Sequence, residues 1–262
     1  MPVDSTTSGC SSAAEAARGA IGHPGLQSGV PIWLERRGEA GARLAGCMSS
    51  SPVCPTGLGV LVGGRSSRMG GQPKGLLVVP GSDESLVVHA LRVGAEAGCA
   101  PRWLVGDLDA YDAMAAAHPA ALSPATAGRA EPAFRGRLRD DPPGVGPLGG
   151  LRALLLAANA SGLQQVIAVA CDMPYVTPEL LTALREHPSE AAVLAARRGP
   201  EAPWEPLLAR YRPTLLLPAV DAALAAGERS FQKLLARVTV AEFQAPGLAR
   251  ALDDWDCPED VR

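Results

Sequence analysis

From Gly57 onward, short runs rich in Val, Ile, Leu and Ala alternate with longer segments whose apolar residues recur every three or four positions. The short runs are GLGVLVGG (57–64), RWLVGD (102–107), RGRLRD (135–140), QVIAVACD (165–172), AAVLAAR (191–197), PLLARY (206–211) and RVTVAEF (237–243). Their length and composition predict strands. The longer segments, 84–97, 111–117, 147–159, 178–186, 213–226 and 230–236, predict helices. Several open on Pro, and Thr177-Pro178 pairs an N-cap residue with Pro at the first helical position. Strands alternating with helices predict an α/β protein with a mainly parallel sheet. Residues 119–133, with three prolines and few apolar side chains other than Ala, read as a loop.

Residues 1–55 break the pattern. They are rich in Ser, Gly and Ala, and apolar periodicity surfaces only in VPIWLERRGEAGARLAGC (30–47). They are expected to form a poorly ordered extension, with a folded domain over 56–262. Met48 stands just ahead of the first strand and makes a natural start for that domain.

Composition narrows the function classes. With 24 basic and 27 acidic residues and a formal charge of -3, the chain has no bulk footprint for nucleic acid or for an anionic membrane. Any anion site must be local. The longest apolar runs, 153–158 and 166–171, are too short to span a bilayer. Six scattered cysteines show neither a CxxC pair nor metal spacing with the four histidines, and no secretory leader is visible. Free thiols in a reducing cytoplasm are the expectation.

The densest chemistry lies in GVLVGGRSSRMGGQPKG (59–75), where a strand feeds a glycine-rich loop. A Walker A loop is excluded because Gly71, Gln72 and Pro73 separate Gly70 from Lys74 and Gly75 follows the lysine. The dinucleotide fingerprint is excluded because Gly57, Gly59, Gly63 and Gly64 have another spacing. What remains is a longer loop in which Gly63, Gly64 and Gly70 expose main-chain N–H groups while Arg68 and Lys74 neutralise phosphate oxygens. Asp172 stands at the C-terminal end of an apolar strand, where open α/β sheets present ligand-contacting residues. A carboxylate there suits Mg2+, a hard ion usually held by one or two carboxylates and substrate phosphates. Next to a Pro-containing turn it equally suits a cap. Cys171 has no basic neighbour in sequence to make it a nucleophile.

At these residues the chain resembles the MobA-like nucleotidyltransferases, whose signature runs roughly L-A-G-G-x-S-x-R-M-G-x-x-x-K. Here it reads LVGGRSSRMGGQPK, departing at Val62. The resemblance continues through LRDDPPGVGPLGGL (138–151), ACDMPYVTPELL (170–181), WEPLLARY (204–211) and DDWDCPEDV (253–261). It implies a three-layer, Rossmann-like nucleotidyltransferase fold and transfer of GMP from GTP to molybdenum-loaded molybdopterin, with release of pyrophosphate. It implies that Leu61, Val62, Gly63, Gly64, Lys74, Asp140 and Asp172 bind substrate, that Arg68, Lys74 and Asp172 are catalytic, and that Asp172 holds Mg2+. Transient contact with proteins that insert or accept the molybdenum cofactor follows from the same resemblance.

The family's guanine users tend to carry L-A-G-G where cytosine users carry A-A-G or T-A-G, so Gly63-Gly64 sides with guanine. Cytidylyl transfer to the same acceptor is the alternative, as are a non-catalytic molybdopterin-binding scaffold and, less well matched to the chain length, a sugar-phosphate nucleotidylyltransferase. Asp141 could exchange roles with Asp140 by a one-residue slip. Gly106 and Asp107 stand where the family tends to place an Asn, and Asp254, Asp256 and Cys257 replace the commoner N-x-N-T. Asp256 could serve a metal or cap the final helix. The intact mass of the natively expressed protein is expected to match a chain beginning at Met48; a mass requiring any upstream residue overturns that start.

Overall fold

The computed structural model describes residues 54–63, 73–79, 81–106, 111 and 134–255, all within the compact unit Ser50–Arg262. The N-terminal extension, the loop at 119–133 and all of the helix expected over 111–117 except Tyr111 lie outside the described residues.

All seven expected strands form: β1 (Thr56–Leu61), β2 (Arg102–Val105), β3 (Phe134–Leu138), β4 (Gln165–Ala170), β5 (Val193–Arg197), β6 (Trp204–Tyr211) and β7 (Val240–Glu242). They make one sheet in the order β3-β2-β1-β4-β6-β5-β7. Neighbours pair in parallel except where β6 runs antiparallel to β4 and β5. The turn from Arg197 to Trp204 is too short for a parallel crossover, which takes a dozen or more residues, and so reverses the chain.

The helices are α1 (Leu86–Glu96), α2 (Pro147–Ala160), α3 (Pro178–Glu186), α4 (Pro213–Ala225), α5 (Phe231–Leu235) and α6 (Leu248–Ala251). Their starts are written in the sequence. Ser85 accepts a hydrogen bond from the Val88 N–H, Thr177 one from Leu180 with Pro178 following, and Ser230 one from Lys233. The α6 turn and a short 3-10 turn at Lys74–Leu76 were not evident from periodicity, since neither spans two helical repeats.

Two cores flank the sheet. On one face Leu58, Val60, Ile167 and Val169 meet Val87 and Leu91 of α1, Leu181 of α3 and Leu248 of α6. On the other Leu61, Val166 and Ala168 meet Leu151 and Leu154 of α2, Leu216 and Val220 of α4, and Leu234 of α5. Alternate residues of each strand thus enter opposite cores, which gives the three expected layers. No helix among the described residues is long and apolar enough to cross a membrane.

The buried guanidinium of Arg210, on β6, ties α3 to the sheet. Nη1 donates to the carbonyls of Leu184, Arg185 and His187 at 3.2, 3.1 and 2.7 Å, and Nη2 to that of Ser189 at 2.7 Å. These are carbonyls at and just beyond the end of α3, which lack helical partners. Arg210→Ala strands the carbonyls of Leu184, His187 and Ser189, that of Arg185 keeping the Gln165 amide, and is expected to lower unfolding stability by about 3 kcal/mol, read as a shift of the urea midpoint at unchanged slope.

Candidate active site at the β1–β4 junction

The sheet order places β2 and β3 on one side of β1 and β4 on the other, so the connections leaving β1 and returning to it run in opposite directions. The crevice beyond the C-terminal ends of β1 and β4 is the position at which open α/β sheets bind ligands. β1 and β4 run in register from Thr56 beside Gln165 to Leu61 beside Ala170. Beyond the paired residues, the Cys171 N–H donates to the Leu61 carbonyl at 3.0 Å. Asp172 therefore emerges next to Val62 and Gly63.

Lys74 completes the junction. It begins the 3-10 turn after the glycine loop, and its Nζ lies 3.1 Å from Asp172 Oδ2. Both side chains are mostly covered, at 17% and 19% exposure, a setting in which lone charges are costly and a pair is tolerated. The structure thus brings together Leu61, Val62, Gly63, Lys74 and Asp172; Arg68 and Gly64 lie outside the described residues.

Within that set the residues play unequal parts. Leu61 and Val62 are 7% and 2% exposed and their side chains enter opposite cores. The Leu61 carbonyl receives Cys171 and the Val62 N–H goes to the Val105 carbonyl. Both side chains therefore hold the strand end in place. Gly63 is exposed, and a Cβ on it would meet nothing within 4 Å. Its missing side chain leaves room on the open side of the crevice.

Asp140 sits two strands away from β1, about 10 Å at the usual strand spacing. It is half-buried against the first turn of α2, with its Oδ1 3.3 Å from where a Cβ on Gly150 would stand. Asp141 is committed elsewhere: Arg152 donates to its carboxylate through Nη1 and reaches Asp221 of α4 at 2.7 Å through Nε. Asp140 is thus placed beside the start of α2, while Asp141 is held by Arg152. The Arg229 guanidinium, between α4 and α5, donates to the Gly144 carbonyl at 3.2 Å and steadies the same turn.

Three positioning contacts were invisible in the sequence. Gly106, at φ +146°, has its Cα side 3.1 Å from the Gly63 nitrogen, measured from where a Cβ would be, so only glycine lets β2 end flush against the glycine loop. The Trp255 N–H donates to the Asp172 carbonyl at 2.9 Å, while its ring is buried with Val79 and Leu86. Tyr111 is buried in the same core as Cys171 and accepts from the Gly75 N–H at 3.1 Å. Burial and the Asp172 charge push the Cys171 thiol up to about 12, so it stays neutral and is no nucleophile.

The far rim, at the start of β6 and the ends of β5 and β7, carries another set of charges. Arg197 stacks on Trp204 at 4.7 Å and pairs with Glu242. Arg198 pairs with Asp253 at 3.3 Å. Glu205 is raised above the usual carboxylate range by burial, with Arg198 opposing and Asp254 adding to the shift. Asp256 and Cys257 lie outside the described residues. No group of three or more His, Cys, Asp or Glu among the described residues could by itself enclose a metal ion. The donor set at the junction is one carboxylate with open space beside it, which fits a hard ion that takes its other oxygens from phosphate and water and does not fit a closed protein cage.

Comparisons with known proteins agree with this geometry. The MobA-like NTP transferase domain model matches residues 58–241. A molybdenum cofactor guanylyltransferase of Pseudomonas putida is 34% identical over 206 residues, covering 78% of this chain and 95% of that one. A probable molybdenum cofactor guanylyltransferase of Synechococcus elongatus is 31% identical over 189 residues, covering 70% and 85%. Among solved structures, molybdopterin-guanine dinucleotide biosynthesis protein A from Archaeoglobus fulgidus has a TM-score of 0.57 at 21% identity, covering 78% of this chain and 94% of that chain. 2-C-methyl-D-erythritol 4-phosphate cytidylyltransferase from Thermus thermophilus, at 17% identity and a TM-score of 0.50, covers 78% and 94% and shares the fold. With the glycine loop, the sheet order and the Lys74–Asp172 junction in place, the chain belongs to the MobA-like NTP transferase family, and it is a nucleotidyltransferase.

Proposed function

We propose that this chain moves GMP from GTP to molybdenum-loaded molybdopterin, forming the guanine dinucleotide cofactor and pyrophosphate. The observation that carries the reading is the Lys74–Asp172 pair, 3.1 Å apart at the sheet's switch point, in a chain whose curated relatives are guanylyltransferases.

The acceptor's terminal phosphate oxygen attacks the α-phosphorus of GTP. A new P–O bond forms, the bond from that phosphorus to the bridging oxygen breaks, and pyrophosphate leaves with the electron pair. The attacking phosphate is already ionised at neutral pH, so no general base is required. Catalysis then consists of alignment and charge neutralisation.

In this reading the main chain at Gly63 and Gly64 lies along the nucleotide, with Asp140 beside it. Lys74, drawn from Asp172 toward the incoming phosphates, offsets the charge that builds on the leaving pyrophosphate, and Arg68 adds a second cation. Asp172 is the residue that would hold Mg2+, whose chemistry when bound is charge neutralisation at phosphate oxygens. Trp255, through the Asp172 carbonyl, holds that strand end still. The free thiols at Cys54, Cys99 and Cys171 suit a cytoplasmic setting, where contact with cofactor-inserting and acceptor proteins would follow product release.

The test is pyrophosphate release with each of the four NTPs, with and without molybdenum-loaded molybdopterin, in Mg2+ buffer. GTP with the acceptor is expected to give the signal, and Lys74→Ala and Asp172→Asn each to lower kcat by about a hundredfold or more. CTP turnover without GTP turnover assigns the cytidylyl alternative. Release from no NTP, in a folded protein, leaves the scaffold.

A further inference from the structure

Lys74 and Asp172 come from segments 98 residues apart. The turn that carries Lys74 must be fixed to the core for their separation to be set. We propose that Tyr111 is that anchor, a positioning residue that fixes the Lys74 ammonium against Asp172 without itself touching substrate.

Three observations converge on it. The phenol oxygen accepts the Gly75 N–H at 3.1 Å in a buried setting, so the main chain next to Lys74 is pinned. Tyr111 and Cys171, the residue before Asp172, lie in one buried cluster, so the ring is anchored in the core that supports the end of β4. Gly75 is shaped for the contact: a Cβ there would stand 2.9 Å from both Tyr111 Cε1 and Tyr111 Oη and 2.4 Å from Val87 Cγ2. A side chain at position 75 would push the ring away, which explains the glycine directly after the lysine.

Phenol and thiol are both neutral, because burial raises each above its ordinary range. The Gly75–Tyr111 contact is therefore a neutral hydrogen bond and adds no charge to compete with Lys74 or Asp172. Tyr111 is 1% exposed, and its ring packs in the core that also holds Val87 and Val176, so the hydroxyl cannot swing elsewhere. Removing that hydroxyl leaves the ring in place and frees the turn that carries Lys74.

The proposal rests in part on the guanylyl-transfer reading, so its first test avoids turnover. Lys74 and Lys233 are the chain's two lysines, and Lys233 is 69% exposed, which makes it an internal standard. Acylation with an N-hydroxysuccinimide acetate, followed by peptide mass spectrometry, is expected to label Lys74 relative to Lys233 about fivefold faster in Tyr111→Phe than in the wild type, the factor matching loss of one net hydrogen bond. An unchanged ratio overturns the proposal whatever the enzyme's substrate.

The second test is a kinetic cycle with GTP and acceptor. Tyr111→Phe is expected to lower kcat about tenfold in the wild type with KM for GTP changed less than twofold, and to cost less than twofold in a Lys74→Ala background. Equal losses in both backgrounds overturn it, since a general structural defect does not depend on Lys74. If Tyr111→Phe lowers the urea midpoint, Gly75→Ala, whose Cβ would press on the phenol ring from the turn side, must show the same dependence on Lys74; failure of that pattern also overturns it. A wild type that does not use GTP refutes the functional reading alone, and the acylation result stands apart from it.

Discussion

Every feature of the site depends on β1 and β4 lying side by side with their ends aligned. Six consecutive residue pairs hold the two strands in register, and the Cys171 N–H to Leu61 carbonyl bond extends the ladder one step past them. A slip of one residue would turn each side chain to the opposite core. Val60, Val62, Ile167 and Val169 on one face and Leu61, Val166 and Ala168 on the other forbid that slip. The register then dictates that a glycine and an aspartate leave the sheet at the same level, one offering room and the other charge.

Much of this was legible in the chain. The seven strands stood out as short apolar runs between turn residues, and Asp172 was recognisable because an apolar run cannot continue through a carboxylate next to Met-Pro. The signals that failed were of two kinds. Local pattern does not tell a side-chain role from a main-chain one, so it could not show that Leu61 and Val62 send their side chains into opposite cores. Contacts between distant segments leave no local trace at all: Tyr111 reads as one more residue of a helical stretch, and Trp255 as part of an acidic tail. The reversed β6 was readable in principle, because the six residues between β5 and β6 cannot make a crossover, yet its apolar content is that of its parallel neighbours.

Net charge and local charge separate cleanly here. The chain is acidic by three charges, which discourages indiscriminate binding of polyanions, while the junction keeps an ammonium within reach of the open crevice. Pairing with Asp172 is what makes that ammonium tolerable in a largely covered position. In the guanylyl-transfer reading the incoming phosphates would take the ammonium, and Mg2+ would take the carboxylate it leaves. A lysine suits this exchange better than an arginine would, being a point charge on a flexible stem with no fork that locks onto a carboxylate.

The far rim follows the opposite logic. Arg197 ends β5 and Arg198 follows it, and each is claimed by a carboxylate of the chain itself, Arg197 by Glu242 and Arg198 by Asp253. Surface pairs of this kind add little to stability. Their effect is geometric: Arg197 also stacks on Trp204, whose main chain is bracketed by the Gln232 side-chain amide at 3.2 and 2.7 Å, so strand β6 starts from a fixed point. β6 needs that anchor because it departs from its partner. Between Ala195 and Ala196 the pairing on β5 jumps from Ala209 to Glu205, leaving Pro206, Leu207 and Leu208 bulged, and the Tyr211 hydroxyl reaches forward to the Pro206 carbonyl within the bulge. A bulge re-aims the residue beside it. Here that residue is Glu205, turned toward Arg198 and Asp254 at the edge of the crevice opposite Lys74. The sheet thus ends in two differently built walls, a parallel one that carries the Lys74–Asp172 pair and an antiparallel one whose arginines are held by carboxylates of neighbouring segments.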